Sequence, residues 1–197
     1  MSFPPSIDMK KTVEQIFAES IEVKQETLKK NLPKIISAAE AVISAFKAGH
    51  KLFFCGNGGS AADSQHIAAE FVGRFQKERK AWPAIALTTD TSALTALGND
   101  YTFDIVFSRQ LQALGQKGDV LIAISTSGNS KNVLEAVKQA KAMGIITVGV
   151  TGGSGGQLAN LCDIAIIAAS PKTARIQESH LVIFHSICEL VENTLTA

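Results

Sequence analysis

The chain has 197 residues, 46% of them apolar, with 19 Lys and Arg against 18 Asp and Glu for a net charge of +1. Those numbers exclude a disordered chain, and with no block of like charge they argue against nucleic acid or an anionic membrane surface as partner. The three cysteines (Cys55, Cys162, Cys188) fit neither a disulfide framework nor a CxxC metal site, and they read as reduced core residues.

The N-terminus, "MSFPPSIDMKK", lacks the apolar stretch of a signal peptide, and no run is long enough to span a membrane, so a cytoplasmic protein is expected. From Ile7 to Lys30 the apolar spacing is helical. Pro33 then breaks the pattern and opens a second helix to about Ala48, with Gly49 at its C-terminal end. Five short runs follow, "KLFFC", "AIALTT", "DVLIAIS", "IITVGV" and "DIAIIAA", each nearly continuous in apolar character, as strands buried on both faces are. Helical patterns separate them at Ser60–Gly73, Thr91–Leu114, Ser130–Met143 and Gly156–Leu161, and a long helix closes the chain at Thr173–Asn193. Strands alternating with helices predict a doubly wound, five-stranded parallel sheet flanked by helices. Residues 1–197 read as one domain, made of leading helices (1–49) and an α/β core with the last helix (50–197). The leading helices are too short to hold a core, so they pack on the sheet, on the last helix or on another subunit.

Ligands in such a sheet bind beyond the carboxyl ends of the strands, and three loops leave those ends with unusual composition. "CGNGGS" (55–60) places three glycines before Ser60, which stands where a helix N-cap belongs. An anion site and a plain capped turn are equally good readings of it. "TTDTS" (88–92) carries Asp90. "STSGNS" (125–130) carries the hydroxyls of Ser125, Thr126, Ser127 and Ser130 ahead of a helix, with no cation until Lys131. Capping by Ser130 alone does not account for the other three hydroxyls, and phosphate is the better reading. His66 and Glu70 stand four apart on one helical face, as a structural pair or as two metal ligands. On the last helix, Gln177 and His185 share a stripe from which His180 is offset, and spacing does not decide which histidine faces a ligand.

Taken together, "CGNGGSAADSQHIAAEF", "FVGRF", "PAIALTTDTSALTALGND", "FSRQ", "GDVLIAISTSGNSKNV" and "ARIQESHLVIFHSICELVE" resemble the sugar isomerase (SIS) domain family, and within it the phosphoheptose isomerases, over nearly the whole chain. The resemblance implies a flavodoxin-like fold and a homotetramer, with the leading helices in an oligomeric bundle and active sites between subunits. It also implies an aldose–ketose isomerase that turns sedoheptulose 7-phosphate into D-glycero-D-manno-heptose 7-phosphate for surface polysaccharide such as lipopolysaccharide. It carries over zinc on His66, Glu70, Gln177 and His185, with Glu70 as general base and His185 as general acid. Phosphate contacts would come from Ser60, Ser125, Thr126, Ser127 and Ser130, and a sugar pocket from Asn57, Gly58, Gly59, Asp90, Thr91 and Gln177. Some members carry Asp where this chain has Ala174, a subgroup difference. One branch similar throughout binds the replication initiator without catalysis, and its pattern lacks a glutamate at the position of Glu70. A phosphosugar-sensing module is the other alternative.

Overall fold

The computed structural model describes residues 8–197, so the start of the helix expected from Ile7 lies outside the described residues. Five strands form one parallel sheet in the order β2-β1-β3-β4-β5: β1 Leu52–Cys55, β2 Ala84–Ala86, β3 Val120–Ile124, β4 Ile146–Gly152 and β5 Ile164–Ala168. Side chains alternate between faces. Leu52, Phe54, Ile122, Ile124, Val148 and Val150 therefore pack toward α1 (Met9–Lys47), α2 (Gly59–Val72) and α7 (Thr173–Leu195). Phe53, Cys55, Leu121 and Ala123 pack the other way, toward α4 (Val106–Leu114), α5 (Lys131–Ala142) and α6 (Gly156–Leu161). Both layers are shielded from solvent, and each fully buried Phe or Leu contributes roughly 2 kcal/mol. No helix among the described residues is long and apolar enough to cross a membrane.

Two expectations fail. The leading helices are one: α1 runs 39 residues straight through Pro33. The carbonyl that Pro33 cannot satisfy is that of Lys29, and both residues are exposed, so it is left on the solvent-facing side of the helix. Side chains on both sides of the proline are also pinned. Asn31 accepts from the Ile167 amide at 3.0 Å and donates to the Ile167 carbonyl at 2.9 Å, while Thr27 accepts from Ala169 N at 2.9 Å. Together they pair the open edge of β5 as a sixth strand would, and Ile35, beyond the proline, is buried in the core. The expected helix at 91–114 is likewise not continuous. It divides into α3 (Thr91–Asp100), a 3-10 turn at Phe103–Ile105, and α4, because Tyr101 leaves helical geometry at φ −127°, ψ −110°. The strand order reverses between β1 and β3, which places the crevice of a doubly wound sheet between the loops that follow those two strands.

Candidate active site

Residues 56–58 turn the chain from β1 into α2. Gly58 holds φ +56° at the N-cap, a backbone region that L side chains rarely enter. A Cβ on Gly56 would meet the Ser60 carbonyl at 2.7 Å, so that close approach also needs glycine. Ser60 is thus not the cap: it lies buried in the first turn, with its amide on the Asn57 carbonyl at 3.0 Å. Across the crevice, Ser125 is buried and its Oγ lies 3.0 Å from that of Ser130. Ser130 occupies the N-cap position of α5, but its hydroxyl makes no capping bond. Ser127 is exposed and its Oγ accepts from Asn129 N at 3.2 Å. The amides of Val133 and Leu134 close on the Ser130 carbonyl, leaving those of Lys131 and Asn132 at the open helix end. Asp90 caps α3 by accepting from Ala93 N at 2.9 Å, and Thr91 is the first residue of that helix; both are exposed.

A second group of side chains meets further along α2 and α7. His66 Nε2 lies 3.1 Å from Glu70 Oε1, and the His66 and His185 rings stand edge-on with centroids 5.3 Å apart. One ligand atom from each of His66, Glu70 and His185 falls within 4.8 Å of the others. Phe75 lies against the His185 ring at 5.5 Å. Cys188, one turn beyond His185, offers no thiolate here, because burial pushes its thiol up to about 12. Gln177 does not join the group within this chain. Its amide sits at Gly59, where a Cβ would come within 2.3 Å of Nε2, and the eight residues to His185 span roughly 12 Å of helix.

The two histidines of α7 stand in different surroundings. His180 is fully buried, with Nε2 3.0 Å from the Thr151 carbonyl and Nδ1 without a partner among the described residues. A carbonyl only accepts, so Nε2 carries the proton and the ring is a neutral core group. Burial lowers its pKa to about 4 against the Thr151 bond, which raises it. Between that value and the ordinary 6.5 the unfolded chain binds more protons. Stability therefore falls as pH drops from 6.5 to 4, by about 3 kcal/mol from this residue. Urea melts across that range, with His180→Asn losing most of the slope, check the assignment; an equal slope in the variant removes it.

Two residues that the motifs did not single out belong to this region. Asn132 exchanges two hydrogen bonds with Asn57, and a lone Asn inside a helix gives no signal in sequence. Asp63 lies one turn before His66, with Oδ2 buried and unpartnered among the described residues. Burial raises its carboxyl above the usual range, opposed by His66.

Compared with known proteins, residues 15–152 match the model of the SIS domain. The phosphoheptose isomerase of Clostridium acetobutylicum is 52% identical over 189 residues, which is 95% of this chain and 96% of that one. Among solved structures, the phosphoheptose isomerase of Neisseria gonorrhoeae superposes with TM-score 0.89 at 47% identity over 94% of this chain and 99% of that one. The one from Francisella tularensis superposes with TM-score 0.91 at 38% identity over 95% and 100%.

Proposed function

Because the chain belongs to the phosphoheptose isomerases of the SIS domain family, we propose that it interconverts sedoheptulose 7-phosphate and D-glycero-D-manno-heptose 7-phosphate. The observation that carries the reading is the convergence of His66, Glu70 and His185, a carboxylate and two imidazoles at one point. Isomerisation needs a base beside carbon and an acid beside oxygen. Glu70 takes the proton from C1 of the ketose while His185 supplies one to the oxygen on C2, giving an enediol. Return of a proton to C2 and loss of the one on O1 yields the aldose. The phosphate is held at Ser125, Thr126, Ser127, Ser130 and the open end of α5, with Ser60 beside it, which fixes the reacting carbons. Asn57, Gly58, Gly59, Asp90 and Thr91 line the approach to the sugar.

The three converging donors are nitrogen and oxygen at ligand spacing and fit zinc. Zinc bound there would polarise the substrate's oxygens. Gln177, lying at Gly59, serves the sugar end in its own chain, and as a fourth metal ligand it would act from a second copy. The surface supports assembly of that kind. Val13, Phe17, Ile21, Leu28, Leu32 and Ile36 of α1 and Val182 and Leu190 of α7 are exposed apolar residues, and a groove lined by Lys24, Leu28, Ile35, Val182 and Ser186 runs between the two helices. We assign residues 1–197 to one SIS domain, assembled as a homotetramer in the cytoplasm, feeding heptose into surface polysaccharide. Purified protein supplied with zinc is expected to form the heptose 7-phosphate from sedoheptulose 7-phosphate, with metal near one equivalent per chain and the mass of four chains by light scattering. No product under those conditions overturns the proposal.

A further inference from the structure

Asn57 and Asn132 face each other across the crevice between the loops that follow β1 and β3. Asn57 Nδ2 donates to Asn132 Oδ1 at 2.8 Å, and Asn132 Nδ2 donates to Asn57 Oδ1 at 2.9 Å. Asn132 is 3% exposed and sits in the first turn of α5, two residues beyond Ser130. Asn57 meanwhile closes the first turn of α2 through its own carbonyl, which accepts from Ser60. We infer that this reciprocal pair is a clasp that locks the glycine loop to the serine loop, and that Asn132 is a positioning residue for the phosphate end of the substrate. The inference rests on the reading of residues 125–130 as the phosphate subsite.

The chemistry favours a clasp over a chance contact. Each amide gives one donor and one acceptor to the other, so neither member is satisfied without its partner, and truncating one leaves the other short of two bonds in a largely buried place. The pair also bridges the two elements that flank the sheet's switch point. The open amides of Lys131 and Asn132 and the hydroxyls of Ser127 and Ser130 on one side, and Ser60 on the other, can act together on one anion only if α5 is held at a fixed distance from the turn into α2. Asn57, with half of its amide's bonding capacity committed to Asn132, acts on the substrate chiefly by fixing that distance.

The test uses the full-length, zinc-supplied protein, with inorganic phosphate as a competitive inhibitor of sedoheptulose 7-phosphate turnover. In Asn132→Ala and in Asn57→Ala, the inhibition constant of phosphate and the KM of the substrate are expected to rise together by roughly tenfold, with kcat falling less than KM rises. The double variant should be no worse than the worse single one, as two halves of one clasp require. An unchanged phosphate inhibition constant in Asn132→Ala overturns the clasp, as do effects that multiply in the double variant. Should Asn132→Ala fail to fold, Asn57→Ala carries the decision, since Asn57 is only half-buried on a loop. A raised KM with unaltered phosphate inhibition would then mark Asn57 as a direct sugar contact and end the proposal. Failure of phosphate to inhibit the unaltered protein would instead overturn the serine-loop reading on which the clasp rests.

Discussion

A Glu70→Gln variant is expected to turn sedoheptulose 7-phosphate over about a thousandfold more slowly than the unaltered chain, with KM changed by only a few fold. The amide matches the carboxylate in size and can still bond to His66, which the carboxylate meets at 3.1 Å. What it cannot do is accept a proton from carbon. The amide is also a poorer metal ligand than the carboxylate, so zinc content is measured on the same sample. A variant that loses zinc and regains turnover when zinc is added in excess had lost a ligand rather than a base. Retention of a tenth of the activity at full zinc content would remove Glu70 from the proton transfer.

The largest effect on stability is expected from Glu192→Ala. This carboxylate is 2% exposed and accepts from the amides of Phe75, Gln76 and Lys77 at 3.1, 2.8 and 2.9 Å and from Arg79 Nε at 3.1 Å. Burial alone would raise its pKa, but those donors outweigh it and hold the carboxyl below the usual range. Its stabilisation is therefore complete above the ordinary glutamate pKa and is lost as pH falls through the depressed folded value. Alanine leaves the Arg79 charge buried without its partner, a change that costs about 3–5 kcal/mol and lowers Tm by roughly 10 °C. Arg79 also donates to the Glu70 carbonyl at 2.7 Å and lies 3.7 Å above the Trp82 ring, and the anchored segment carries Phe75 to His185. Turnover should fall along with Tm. Thermal melts followed by circular dichroism check the first part, and a Tm within 2 °C of the unaltered chain would show the pair to be dispensable.

The parallel sheet was legible because strands buried on both faces leave unbroken apolar runs, and Phe53 and Phe54 mark that for β1. The glycine and serine loops stood out in the sequence because few needs other than backbone approach and polar donation collect glycines and hydroxyls at strand ends. What stayed hidden depended on partners distant in sequence. Pro33 reads as a break, and only the docking of Thr27 and Asn31 onto β5 and of Ile35 into the core makes one helix through it cheaper than two. Ser60 has the chemistry of a cap, yet Gly58, with its positive φ, takes the position and pushes Ser60 into the helix. Gln177 and His185 share a stripe, and shared stripes say nothing about height along the axis. That height places Gln177 beside Gly59 and away from His66. Asn132 has no local signature at all, since its meaning comes wholly from Asn57, which lies 75 residues earlier.

The serine loop carries neutral donors, with Ser125 and Ser130 tied to each other and the next cation in the sequence, Lys131, exposed and 4.0 Å from Asp104. Binding built from hydroxyls and helix-end amides is short in range and draws little from the diffuse ion atmosphere. Ions in solution screen exposed charges over about 10 Å at 0.1 M salt and reach partly buried contacts far less. A chain with a net charge of +1 also exerts little long-range pull on a dianion. Under the proposed reading, capture of the substrate's phosphate is expected to vary only weakly with ionic strength.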